Sequence, residues 1–288
     1  MLPQVLFSGL ALGSIYGLVA LGFALVFKAT DVLNFAQGMF VVVGAFLAVT
    51  AESRLHLPFA LTIVFIVAGA AFIGAAIQAL FIRPLTGRST LSIIMVTIAL
   101  SIVLRALIGV IYGNQPQPLT TPMPVGVFII GGVRISQLHL LAAVVSWLCL
   151  GAFALFFRFS MFGLQMRATA NGHEAALVSG INVDLVNRVA WAIGSVLAAI
   201  GGLFLGQLQL ASTELGGIGL LALPAVVIGG LQSIPGAIVG GLLVGLIEQL
   251  ASSYVSPRAS DIFVYVLLLL VLMVRPWGLF GQRELGRV

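Results

Sequence analysis

Asn171-Gly-His-Glu174-Ala-Ala-Leu-Val-Ser-Gly180-Ile181 stands at the centre of residues 158–188, the longest polar interval in a chain that is otherwise apolar. A protein built only to cross a membrane has no use for such an interval, so its placement decides how the remaining sequence is read. Asn171 followed by Glu174 has the form of a capping box. Gly180 suits the left-handed position after a helix end. The expected result is an amphipathic helix over residues 171–181 that exposes Ala175, Ala176, Leu177 and Val178. So short a helix is marginal alone in water and needs a surface to lie against, either its own membrane domain or a groove of another protein.

The sequence on either side is that of an integral membrane protein. Hydrophobic residues make up 61% of the 288 and charged residues 7%, against roughly 25% charged in soluble domains. The apolar residues come in runs of the length a helix needs to cross ~30 Å of hydrocarbon. The ten-residue alternation of a transmembrane β-barrel is absent. The expected fold is all-α: one polytopic transmembrane helical bundle over residues 1–288, with interrupted helices and a single short helix outside the bilayer. The first apolar run lacks a basic leader and a distinct cleavage pattern, and is read as a retained span.

Nine spans are expected, at about 4–27, 34–50, 59–82, 90–112, 138–157, 189–211, 216–230, 236–251 and 261–274, the seventh and eighth being short. An odd number puts the termini on opposite faces. With the N-terminus outside and the C-terminus inside, the inner face receives Lys28, Arg83, Arg88, Arg158, Arg167, Arg188, Arg275, Arg283 and Arg287. The outer face receives Arg54, Arg134 and Arg258. Nine against three favours this orientation. It makes 158–188 a cytoplasmic loop and the proline-rich 113–137 an external loop, extended or turn-like, that serves as a connection or a docking edge. The net charge of +5 thus reports membrane orientation and not nucleic acid.

Candidate path residues lie where helices break or polar groups enter the apolar runs. In the first span Gly9, Gly13 and Gly17 share a face for close helix packing, and Ser14 and Tyr16 need partners or a wet cavity. Asn34 and Gln37 flank the start of the second span, as a tight turn or as a broken helix facing the path. Gln207 and Gln209, followed by Glu214, Gly216-Gly217, Pro224, Gly229-Gly230 and Pro235-Gly236, mark a second interruption. Spans one to four and six to nine can then form an inverted repeat about span five, as transporters use for alternating access. Arg105 and Glu248 lie inside spans, where charge is costly, and are expected to face the interior at similar depth, which leaves a pairing between them open.

Nothing here marks an enzyme. The only lysine, Lys28, lies in no P-loop. The histidines His56, His139 and His173 and the lone Cys149 lack metal-ligand spacing, so no metal is expected. An ion-coupled secondary transporter or channel for a small polar solute, using Arg105 and Glu248, is one reading of these residues.

At this point the sequence resembles a known family. Glu174-Ala-Ala-x-x-x-Gly180-Ile181 is similar to the EAA loop of ABC importer permeases. Gly13-Ser-Ile-Tyr-Gly-Leu-Val-Ala-Leu-Gly22-Phe, Val32-Leu-Asn-Phe-Ala-Gln-Gly38, the run from Gly229 to Gly241 and Arg275-Pro-Trp-Gly-Leu-Phe-Gly281 resemble the LivH-type permeases of branched-chain amino acid transporters. Gln37 departs from the His of many relatives, and the loop lacks the Leu-Pro ending of some other importers. The resemblance implies a bacterial inner-membrane permease subunit without a cofactor of its own, ATP and Mg²⁺ belonging to ABC ATPase subunits. The further partners implied are a second permease, related or identical, and a periplasmic substrate-binding protein. Glu174, Ala175, Ala176, Leu177, Gly180 and Ile181 would couple to the ATPase. Leucine, isoleucine or valine would be the cargo, other amino acids, urea, small amides and aromatic-derived acids being carried by related permeases.

Overall fold

The computed structural model describes residues 2–119, 123–124, 126–130 and 133–281. The elements are α1 (Leu2–Thr30), α2 (Gln37–Val49), α3 (Phe59–Ile77), α4 (Thr90–Tyr112), β1 (Val127–Ile130), β2 (Val133–Ser136), α5 (Gln137–Phe159), α6 (Met161–Asn171), α7 (His173–Val178), α8 (Val183–Gln209), α9 (Leu215–Leu220), α10 (Ala222–Gly229), α11 (Ile234–Tyr254) and α12 (Ser260–Val274). Helices α2 and α3 each run on into a π-helical turn, at Thr50–Arg54 and Gln78–Ile82. The protein is a multi-pass helical bundle. Among the described residues six helices, α1, α3, α4, α5, α8 and α11, are long and apolar enough to cross a membrane. The other three expected spans fall on shorter helices: α2, α9 with α10, and α12.

One sequence expectation changes. The eighth span is not short: α11 has 21 residues, because Pro235 starts it in the first turn and the helix continues through the polar Glu248–Tyr254 end. Between α4 and α5, where extended or turn structure was expected, β1 and β2 pair antiparallel, Phe128 opposite Ile135. Gln117 also exchanges two backbone hydrogen bonds of 2.8 Å with Ala211, tying that loop to the end of α8. Pro122, Arg283 and Arg287 lie outside the described residues.

Helix α1 is the axis of the bundle. It is apolar all round, and 89% of an 18-residue apolar stretch of it is buried inside the protein, as expected of a helix enclosed by others. Lipid tails supply no hydrophobic drive between helices, so close approach rests on small residues. A Cβ on Gly13 would lie 2.8 Å from the Leu242 Cα, and one on Gly245 2.3 Å from the Gly13 Cα. The expected glycine face of α1 is therefore the seam with α11.

The contacts repeat across the chain. Helix α1 packs on α11 as α3 packs on α8, α2 on α8 as α10 on α1, and α2 on α4 as α10 on α12. Gly22 lies against Gly194 while Ile15 and Val19 lie against Gly201, so α1 and α8 cross antiparallel.

Candidate functional site

The polar interval folds as two short helices. Ser160 caps α6 by accepting from the Gly163 N–H at 2.9 Å. Arg167 closes the preceding turn: it donates to the Phe157 carbonyl and, at 3.3 Å, to that of Arg158. A cation there also suits the negative end of the α5 dipole. Helix α7 then runs only from His173 to Val178, with Gly172 in the N-cap position. The helix is thus shorter than expected, because α6 continues through Asn171 and the chain turns at Gly172. The Asn171 side chain lies outside the described structure.

The expected end is present. Gly180 has φ 78°, its N–H donates to the Leu177 carbonyl, and Ile181 N–H donates to that of Ala176, each at 3.0 Å. These two bonds make a Schellman closure. Glu174, Ala175 and Gly180 are exposed, and Ile181 is half-buried against the α1–α8 side of the core. Leu177 is 58% and Val178 90% exposed. Ala176 is the correction: at 3% exposure it faces inward, since a six-residue helix turns one side to its own protein.

The family motifs around this loop join. Lys28, at the end of α1, lies over the Phe157 ring at 5.7 Å, which Arg167 also covers. The Leu279 and Phe280 N–H groups donate to the Ile228 and Gly229 carbonyls at 2.7 and 2.9 Å. The closing Arg275–Gly281 segment is thereby strapped to the Gly229-Gly230 break. Gly230 and Gly278 both take positive φ there, 106° and 81°. On the same side Arg83 pairs with Asp184 at 3.0 Å.

The two helix interruptions meet as well. A Cβ on Gly38 would lie 2.4 Å from the Gly216 carbonyl, and one on Gly219 2.8 Å from the Gly38 Cα. Beside this crossing a cavity of about 230 Å³ is lined by Phe35, Met39, Ser101 and Arg105, among others. Thr97, Ser101 and Arg105 form a polar line on α4 at intervals of four. Thr97 accepts from the Phe35 N–H at 3.3 Å, and Arg105 donates to the Thr213 carbonyl at 3.3 Å. The sequence reading singled out Arg105 but missed Ser101 and Thr97. Their spacing was the available signal.

The expected path residues take the following places. Asn34 and Gln37 are almost wholly buried. Asn34 Nδ2 donates to Gln37 Oε1 at 3.1 Å, and Gln37 Nε2 donates to the Gly194 carbonyl at 3.0 Å, fixing α2 to α8. Ser14 is buried and returns its hydroxyl proton to the Leu10 carbonyl at 2.7 Å. Asn34 and Gln37 thus join the start of α2 to α8, whereas Ser14 bonds within α1. Gln209 is exposed at the end of α8, and Gln207 is half-buried with an unpartnered Oε1.

Arg105 and Glu248 do not pair. Arg105 serves the α8–α9 break, whereas Glu248 comes close to Tyr16 and Asp261 on neighbouring helices. Neither Tyr16 Oη nor Glu248 Oε2 has a hydrogen-bond partner of ordinary geometry. Similar depth alone does not make a pair: Arg105 is held at the Thr213 carbonyl.

A bundle with broken helices meeting at a polar-lined cavity, and a short helix presented from one loop, is an arrangement that suits a membrane transport subunit. Residues 5–272 match the family described as the permease component of branched-chain amino acid transport systems, and the chain belongs to that family. Relatives include the high-affinity branched-chain amino acid permease LivH of Salmonella typhimurium, 31% identical over 99% of this chain and 97% of that protein. BraD of Pseudomonas aeruginosa is 33% identical over the same shares. A probable LivH of Methanocaldococcus jannaschii is 28% identical over 92% and 88%. The fold is also similar to PsaBC of Streptococcus pneumoniae, solved in complex with a Fab, with a TM-score of 0.51 and 14% identity over 96% and 92% of the two chains.

Proposed function

We propose that this chain is the membrane-path subunit of an ATP-driven ABC importer of branched-chain or other amino acids. The observation that carries this is the exposed Leu177-Val178 pair on a helix too short to stand alone, held out by the Gly180 closure. An apolar helix face in water fits a groove on a partner, and the partner is an ATPase subunit, with ATP and Mg²⁺ bound there.

In this reading the chain crosses the bilayer nine times with its N-terminus outside, and the two four-span halves form an inverted repeat. The antiparallel α1–α8 crossing and the matched helix contacts support it. A periplasmic binding protein delivers substrate to the outer face, and a second permease, identical or related, completes the path. Closure of the ATPase pair moves α7, and α6 and α8 carry that motion to the helix breaks. The cavity beside Arg105 and the Gly38–Gly216 crossing lie on the route.

The test is co-purification of the ATPase with the chain. Val178→Asp is expected to abolish it while leaving the melting temperature of the chain unchanged. Ala176→Asp acts through folding instead, since a buried unpaired carboxylate is costly. ATPase retention by Val178→Asp, or ion-driven uptake by the chain alone, refutes the proposal.

A further inference from the structure

Helix α6 turns apolar side chains away from the protein. Gly163, Met166 and Thr169, three residues apart, are buried, and Met166 joins a core cluster with residues of α1 and α8. The opposite face presents Met161, 70% exposed, and Leu164, 54% exposed. A Cβ on Gly163 would lie 2.3 Å from the Phe157 carbonyl oxygen. The first turn of α6 is therefore pressed against the end of α5, and its outward face is fixed.

That face continues one on α5. Val144, Leu148, Leu155 and Phe159 are spaced by four, seven and four, which puts them on one side of the helix, and all four are exposed. Helix α5 is long and apolar enough to cross a membrane, and only 22% of an 18-residue apolar stretch of it is buried inside the protein. A bare apolar side of this length on a span is a side for lipid. Where the two helices join, the exposed Arg158 places its guanidinium 5.4 Å from the centre of the Phe159 ring. Residues 158–173 hold two arginines and no Asp or Glu. Cations and aromatic rings at the end of an apolar run belong to the membrane–water boundary.

We propose that α6 is an interfacial helix, docked by its Met161–Leu164 face into the boundary between the headgroups and acyl chains of a phospholipid bilayer. The partner is lipid and not protein, because the apolar face of α6 prolongs the lipid side of α5 without a break beyond the capping Ser160. The loop that the sequence assigned wholly to water is then held at the membrane surface along α6, and only α7 with its turns stands clear. This goes beyond the coupling role of α7 and does not depend on what α7 meets.

The experiment is electron paramagnetic resonance on the purified full chain in nanodiscs of phosphatidylethanolamine and phosphatidylglycerol. Spin labels are attached at single cysteines placed in a Cys149→Ala background. The readout is the ratio of collisions with oxygen, which concentrates in hydrocarbon, to collisions with a water-soluble nickel chelate. Leu148→Cys gives the value for lipid, and Glu174→Cys, at an exposed charged position, the value for water. The ratios at Met161→Cys and Leu164→Cys are expected to shift away from the Glu174→Cys value and to lie nearer that of Leu148→Cys. Both positions are exposed, so either variant tests the face where the other fails to fold. A ratio equal to that of Glu174→Cys overturns the proposal, since the face then stands in water until another subunit covers it. Few collisions with both reagents also overturn it, because a second copy of the chain then covers the face in place of lipid.

Discussion

The α1–α11 seam gives a prediction whose size follows from the coordinates. In Gly245→Ala the new methyl would stand 2.3 Å from both the Gly13 Cα and N, and 2.8 Å from the Gly9 carbonyl oxygen. Carbon atoms in contact sit at roughly 3.5 Å or more, so the helices must part by about 1.2 Å. These neighbours are backbone atoms and cannot rotate away. Inserting a methylene into a packed core costs about 1–3 kcal/mol, and a gap near 1 Å forfeits a quarter to a half of each lost dispersion contact. Alanine recovers about 1 kcal/mol of helix propensity. A net loss of about 1–3 kcal/mol is expected, since the gap spreads to the tight Gly9 and Gly13 contacts. The assay is thermal unfolding of the purified chain in nanodiscs, with Gly151→Ala as comparison. A Cβ at Gly151 meets nothing within 4 Å, so that variant should be neutral or slightly stabilising. Equal melting temperatures for Gly245→Ala and wild type would refute the reasoning.

Gln37→Leu removes the buried link from α2 to Asn34 and to the Gly194 carbonyl, and should cost about 1–3 kcal/mol in the same unfolding assay. An unchanged melting temperature would return Gln37 to the role of a path residue. Asp184→Asn breaks the Arg83 pair, whose side chains are 54% and 41% exposed. It should change stability by no more than about 1 kcal/mol, and a larger loss would contradict its surface character.

The sequence by itself determined that the chain is a helical membrane protein, where most helices run and which stretch leaves the bilayer. Those properties are local: apolar run length, glycine and proline breaks, and the Gly180 stop act on neighbouring residues. The α1 glycine stripe was legible for the same reason, because a spacing of four fixes a helix face whatever it meets. What lies opposite a face is set by packing between residues far apart in the chain. Only the tertiary structure decided that Gln37 bonds Gly194, that Ala176 turns inward while Val178 does not, and that Arg105 serves the Thr213 turn instead of Glu248. It alone brought Gly38 to Gly216. Sequence spacing fixes direction around a single helix axis, whereas partners depend on how several axes cross.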